Sequence, residues 1–274
     1  MLKNILLPID GSEKSSSAVE YALWLAEKFS GHIIGEHVID ALVEGTVLDD
    51  ISGSLGIEPE LDFPSRMREI FTERGEKALE DLSRVCGSRG VSHETVLDIG
   101  VVADEICKRA RMADVVVLGG QESPRSGLLS RTADSVTRQS PHPVFMAGAS
   151  FKPIQQPLLA YDGSRRAHAA MELAAEFCSH LKIPLTVLHV SKDESTTTKV
   201  VTEAKSYLAS YGIGINVEVD TGYPEERIVY HLAHHDHDLL FIGAYGHRRI
   251  IEMVLGSTTE YVLRNSPCPI FLRR

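Results

Sequence analysis

Residues 4–12, NILLPIDGS, and residues 157–164, PLLAYDGS, are two versions of one stretch: an apolar run that stops at Asp-Gly-Ser. Neither run has helical spacing, so each reads as a buried strand ending in a polar turn. The residues after each turn repeat as well. Ala18, Tyr21, Ala22, Leu25, Ala26 and Phe29 share one face of a helix after the first turn, and Ala170, Leu173, Ala174 and Phe177 do so after the second. Strands at residues 33–38 and 185–190 come next, and Asp10 to Val38 spans the same distance as Asp162 to Val190.

The correspondence continues to the end of the chain. Residues 96–100, VLDIG, match residues 217–222, VEVDTG, and each stretch precedes a helix marked by Ile106 and Ala110 or by Ile228 and Leu232. DVVVLG at 114–119 matches DLLFIG at 238–243, and SPHPVFM at 140–146 matches SPCPIFL at 266–272. The chain is thus a duplicated βαβαβαβαβ unit. Strands alternating with amphipathic helices give parallel sheets with helices on both faces, and right-handed crossovers leave few topologies. The expected domains are residues 1–148 and 154–274, joined through the non-periodic stretch AGASFKPIQQ at 147–156. Residues 43–65, with Gly45, Gly53, Gly56, Pro59 and Pro64, read as an insertion in the first half, helical near 51–55 and otherwise a solvated loop.

At 274 residues, 43% hydrophobic and 24% charged, the composition is that of a globular chain large enough for two cores. No apolar segment is long enough to span a bilayer, and the N-terminal MLKNILLPIDGS reads as a strand rather than a signal peptide, so a cytoplasmic location is the expectation. A net charge of −10 argues against general nucleic-acid binding. Cys86, Cys107, Cys178 and Cys268 are scattered with no CxxC pair, which fits reduced, buried thiols. In the cluster His231, His234, His235 and His237, the step from 231 to 234 or 235 is one helical turn, but the pattern lacks a further placed ligand. No metal site is expected, and the rings read as a solvated helix face.

Chemistry concentrates in residues 239–260, LLFIGAYGHRRIIEMVLGSTTE. A buried strand runs into Gly243 and Gly246, which allow positive φ and leave amide N–H groups open, and Gly256 does the same further on. Ser257 to Glu260 has capping-box spacing, so a helix should begin there with unsatisfied N–H groups. A glycine loop and a helix start beyond the end of a parallel strand make a seat for phosphate.

The pattern Gly243-x2-Gly246-x9-Gly256-Ser257 resembles that of the ATP-binding branch of the universal stress protein family, and the likeness covers nearly all of both halves. The resemblance implies an α/β, Rossmann-like fold of the adenine nucleotide alpha hydrolase type. In it two tandem, doubly wound, parallel five-stranded sheets each have the strand order 3-2-1-4-5. Ligands then bind where strand order reverses, between strands 1 and 4. By motif Asp162 and Val190 hold the adenine, Gly243, Gly246 and Gly256 bring amides to ribose and phosphates, and Ser257 adds a hydroxyl. The family's Pro two residues before the Asp is present as Pro8 but replaced by Ala160. ATP is the implied cofactor, with Mg²⁺ at its phosphates. His247, Arg248 and Arg249 read as a solvated loop, and Arg273 and Arg274 as a solvated end.

No Walker loop, GxGxxG after the first strand, GxSxG elbow or HExxH accompanies the site. An ATP site without a catalytic base or arginine finger suits a sensor or regulator in a stress response with at most slow hydrolysis. The alternatives are a weak ATPase or autophosphorylating enzyme with Ser257 or a His as acceptor, or a scaffold binding AMP or lipid. Flavin electron transfer and adenylyl transfer belong to the same broad superfamily. The resemblance also implies that the halves pair through their last strands, residues 143–146 and 269–272; a homodimer is compatible with this, and the protein partner is not legible. In the first half Asp10, Val38 and Gly119 are retained, but Ser130-Arg131 stands where Gly256-Ser257 stands, and the loop carries Glu122 and Pro124. Its cleft should therefore be empty or bind something else, unless Arg125 or Arg131 captures phosphate.

Overall fold

The computed structural model describes residues 2–12, 15–41, 63–119, 131–243 and 257–274. The first half runs β1 (Asn4–Pro8), α1 (Ser16–Phe29), β2 (His32–Asp40), α2 (Phe63–Ser88), β3 (Ser92–Gly100), α3 (Val102–Ala110), β4 (Val115–Leu118), α4 (Arg131–Gln139) and β5 (Val144–Met146). The second runs β6 (Pro157–Ala160), α5 (Arg165–Leu181), β7 (Leu185–Val190), α6 (Glu194–Leu208), β8 (Ile215–Asp220), α7 (Pro224–His234), β9 (Leu239–Gly243), α8 (Ser257–Asn265) and β10 (Ile270–Arg273).

The strands form one sheet in the order β3-β2-β1-β4-β5-β10-β9-β6-β7-β8. Each half thus has the expected 3-2-1-4-5 order, and the two five-strand sets are continuous. All pairs within a half are parallel; β10 meets β5 antiparallel, with Phe271 opposite Phe145. The seam solves an edge problem, because a last strand left open would present a row of unpaired N–H and C=O groups.

Period-two alternation in the strands sends side chains to two cores. On one face α1, α2, α5 and α6 cover residues such as Ile5, Leu7, Val115 and Phe241; on the other α3, α4, α7 and α8 cover Leu6, Val116, Leu240 and Ile242. The first core crosses the seam. Phe271 stands edge-on to Phe145 at 5.3 Å and stacks near Phe241 at 5.5 Å, while Phe177 of α5 meets Phe271 at 6.1 Å, Phe29 at 5.4 Å and Trp24 at 6.3 Å. Aromatic pairs at these separations add to the gain from burial alone.

The linker is docked as well. Phe151 packs edge-on against Tyr21 at 4.9 Å, and the Lys152 N–H donates to the Tyr21 hydroxyl at 3.2 Å. The N–H groups of Gln155 and Gln156 donate to the Asp238 carboxylate at 2.6 and 2.9 Å, leading the chain into β6. Asp114 does the same for Lys3 and Asn4 at 2.7 and 2.9 Å before β1.

Some expectations change. Helix α2 opens at Phe63, so residues 63–65 are helical and not part of the irregular insertion. The rest of the insertion, including the helix expected at 51–55, lies outside the described residues. The terminal Arg274 is tied down, donating to the Arg138 carbonyl at 2.8 Å. All four cysteines are free, with Cys86 and Cys178 buried. Burial pushes the Cys178 and Cys268 thiols up to about 12, so neither is a ready thiolate.

Candidate functional site

Register brings the expected residues together at the strand ends of the second half. Ala160 pairs with Leu188, and Tyr161 N–H donates to the Leu188 carbonyl at 3.0 Å, so Asp162 comes level with Val190. On the other side Leu159 pairs with Phe241, which places Gly243 two residues on, beside Tyr161. This is the crevice between strands 1 and 4 of the half, where strand order reverses.

Asp162 closes a turn: its Oδ1 accepts from Ser164 N–H at 2.9 Å, and Gly163 takes φ +78°, a value that suits glycine. Ser164 then caps α5, its hydroxyl accepting from Ala167 N–H at 3.2 Å. The first half has the same turn with a different finish. Asp10 Oδ1 accepts from Ser12 N–H at 2.9 Å and from the Ser15 hydroxyl at 2.7 Å, with Gly11 at φ +73°. Burial pushes the Asp10 carboxyl up, but the bonds from Ser15 and Ser12 outweigh it and hold the group below its usual 3.8.

Beneath each turn lies a histidine that sequence reasoning missed. His189 Nδ1 donates to the Tyr161 carbonyl at 2.8 Å, and His37 Nδ1 to the Ile9 carbonyl at 2.8 Å. A carbonyl only accepts, so Nδ1 carries the proton in both rings. The signal was available in sequence, since both sit at the same place in the repeat, one residue before Val38 and Val190.

Gly243 differs from the expectation. It does not adopt a left-handed φ. Its missing side chain matters for packing: a Cβ there would lie 2.6 Å from the Arg166 carbonyl carbon, 2.7 Å from its oxygen and 2.8 Å from Ala167 N. The strand end and the first turn of α5 are therefore in direct backbone contact, and the glycine is what lets them meet.

The described part of α8 runs from Ser257, and that of α4 from Arg131, the position matched to it in the first half. Ser257 is exposed at that start. Glu260, expected to close a capping box with Ser257, has its Oε1 accepting from Arg264 at 2.8 Å. Thr258 instead ties the helix to α7, donating to Glu225 Oε2 at 3.2 Å. Gly246, His247, Arg248, Arg249 and Gly256 lie outside the described residues, as do Glu122, Pro124, Arg125 and Ser130 of the first-half loop.

A second polar constellation lies between strand 3 and the following helix in each half. In the first, Glu36 is fully buried and its Oε1 accepts from Arg109 Nε at 2.9 Å; the guanidinium also pairs with Asp98. Burial pushes the Glu36 carboxyl up to about 7, with Arg109 pulling the other way. In the second half His231 stands at the place of Arg109 and Asp220 at that of Asp98. His231 Nε2 lies 2.9 Å from Asp220 Oδ2, which also accepts from Arg227 Nε at 2.6 Å. Its place on a solvated helix face is therefore corrected: His231 is only 8% exposed, whereas His234 and His235 face solvent. The packing of α7 on β8 decides this, and the helical spacing of the histidines does not reveal it.

Among the described residues no helix is long and apolar enough to cross a membrane. The sequence profile of the universal stress protein family matches residues 1–147 and 194–274. A universal stress protein of Synechocystis sp. is 28% identical over 287 residues, covering 100% of both chains. One from Methanocaldococcus jannaschii is 27% identical over 150 residues, covering 53% of this chain and 82% of its own length. Among solved structures, a universal stress protein from Archaeoglobus fulgidus superposes with a TM-score of 0.80 at 24% identity, covering 99% of this chain and 98% of that one. A functionally unknown protein from Pseudomonas aeruginosa gives 0.71 at 15% identity, covering 99% and 92%. At these identities the structural likeness speaks for the fold.

Proposed function

The chain belongs to the universal stress protein family, and on that premise we propose that its second half binds ATP and that occupancy, not turnover, is what a stress-response partner reads. The observation that carries the proposal is the convergence of Asp162, Val190 and Gly243 on one crevice at the reversal of strand order. Asp162 accepts from the adenine amino group or the ribose hydroxyls, since a carboxylate takes several bonds at once. Val190, half-buried at the end of β7, offers an apolar edge to the base. The N–H groups of Gly243, Gly246 and Gly256 and the hydroxyl of Ser257 take the ribose and phosphates. An anion suits a helix that follows the glycine motif, since the first turn of a helix offers N–H groups to a phosphate, and Ser257 is exposed on α8. Mg²⁺ would travel with the nucleotide, held by phosphate oxygens and water, and would supply charge neutralisation there.

With the Asp162 carboxylate given over to the adenine or ribose, the expectation is turnover below the ordinary enzyme range of about 1 per second. The two domains, residues 1–148 and 154–274, differ in sequence at the motif: the first keeps Asp10, Val38 and Gly119 but has Ser130 for Gly256. One nucleotide per chain is the expected stoichiometry. Calorimetry with ATP on the full chain and on Gly256→Val tests it, with one site expected in the parent and none in the variant. Two equivalent sites in the parent, one of them surviving in the variant, would refute the assignment.

A further inference from the structure

On β8, the strand that pairs with β7 so that Asp220 stands opposite Val190, and on α7, a set of metal-ligating groups assembles. His235 follows α7 directly, its N–H still bonded to the His231 carbonyl at 3.0 Å, and the two rings stack 4.9 Å apart. Glu218 reaches them from β8, whose alternation points Asn216, Glu218 and Asp220 away from the face that Ile215 and Val217 give to the first core. One donor atom from each of Glu218, His231 and His235 lies within 4.8 Å of the other two.

The ring of His231 stands between two carboxylates. Its Nε2 faces the Asp220 carboxylate, which only accepts, so Nε2 carries a proton; in the singly protonated ring Nδ1 keeps a lone pair on the other side. That lone pair faces Glu218 Oε2 at 2.9 Å. Both atoms are buried, and neither has a hydrogen-bond partner among the described residues. The contact lacks hydrogen-bond alignment, so a second ring proton would not be donated squarely to Glu218. Two acceptors held this close repel each other unless something positive lies between them.

We propose that Glu218, His231 and His235 form a binding site for a divalent transition-metal ion of the zinc type, with water completing the coordination. A tetrahedral site with bonds of about 2.0–2.2 Å spaces neighbouring donor atoms roughly 3.3 Å apart. The Glu218–His231 pair is close to that, and the exposed His235 ring completes the set by rotating. Asp220, itself held by Arg227, fixes the tautomer of His231 as an outer carboxylate does for a ligating histidine. Two imidazoles and one carboxylate favour zinc, nickel or copper over magnesium or calcium. The first half supplies a built-in comparison, because Val96, Arg109 and Ala113 occupy the corresponding places. There the positive charge is covalent, as the Arg109 guanidinium between Glu36 and Asp98.

The test is titration of the chelator-treated full chain with Zn²⁺ by calorimetry and with Co²⁺ by its visible d–d absorption. One ion per chain is expected, with a four-coordinate Co²⁺ spectrum. His235→Ala and Glu218→Gln, both partly solvent-facing and so tolerable to the fold, should weaken binding by about tenfold or more, and Asp220→Asn by about 10–100-fold. His234→Ala, whose Nδ1 donates to the Tyr230 carbonyl at 2.9 Å, should change nothing. Absence of stoichiometric binding in the parent overturns the proposal, as does equal binding in His235→Ala and Glu218→Gln.

Discussion

Replacing Gly243 by alanine isolates the contact between β9 and α5. Since Gly243 does not take a left-handed φ, alanine meets no backbone strain of its own, and the whole effect is steric. The new Cβ would stand 2.6 Å from the Arg166 carbonyl carbon, where ordinary contact begins at 3.4 Å, so strand and helix must part by about 0.8 Å. The obstructing atoms are backbone in the first turn of a capped helix and cannot rotate away. Overpacking of this kind costs about 1–3 kcal/mol. In urea melts that loss lowers the midpoint with little change in slope. On heating, each kcal/mol lowers Tm by roughly 2–4 °C in a chain of this order of size. The same displacement moves Gly243 relative to the Asp162 turn, so ATP affinity should fall together with stability. An unchanged urea midpoint for Gly243→Ala would show that the backbone contact does not constrain the site.

The buried acid of the first half makes a pH-dependent prediction. Glu36 has its folded value raised to about 7 from the usual 4.5, so the folded state binds more protons than the unfolded one in that window, and stability falls as pH rises through it. Glu36→Gln should flatten that slope, and Arg109→Met, which strands the carboxylate, should cost about 3–5 kcal/mol at pH 8 and less at pH 5; denaturation at the two pH values decides. At the seam, Phe271→Ala should cost about 3–5 kcal/mol in urea melts. The amides of residues 144–146 and 270–272 should exchange as slowly as those of β1 and β6; faster exchange at both would contradict the antiparallel pairing.

Most of the architecture was legible because the chain states it twice. A single copy of NILLPIDGS is one strand and one turn; its repetition as PLLAYDGS, with equal spacing to Val38 and Val190, fixes the repeating unit, while the order of its strands came from the family resemblance. The left-handed helix ends at Ser30 and Lys182 show how far the copying goes: neither is glycine, yet they take φ of 50° and 56°. The features that escaped the sequence depend on which elements lie against each other. Gly243 reads as a flexible loop residue until α5 is seen pressed on it. Glu218 and His231 belong to different elements, and their proximity follows from α7 lying over β8. Reading INVEVD by its period of two against the helical spacing of residues 231 and 235 would have paired them.

The antiparallel junction of β5 with β10 has a consequence for how the halves can change. Two identical subunits joined by such a junction would carry every substitution twice, and their association would weaken on dilution. Covalent linkage removes both constraints, since the partner strand is always at hand at a high local concentration. One half can then carry Ser130 where the other has Gly256, and Val96, Arg109 and Ala113 where the other has Glu218, His231 and His235, with neither difference copied across the sheet. Because the strands of the two halves run in opposite directions, their crevices open at opposite ends of the sheet. The molecule therefore has a front and a back, and a ligand in one crevice is presented at the end of the sheet opposite to a ligand in the other.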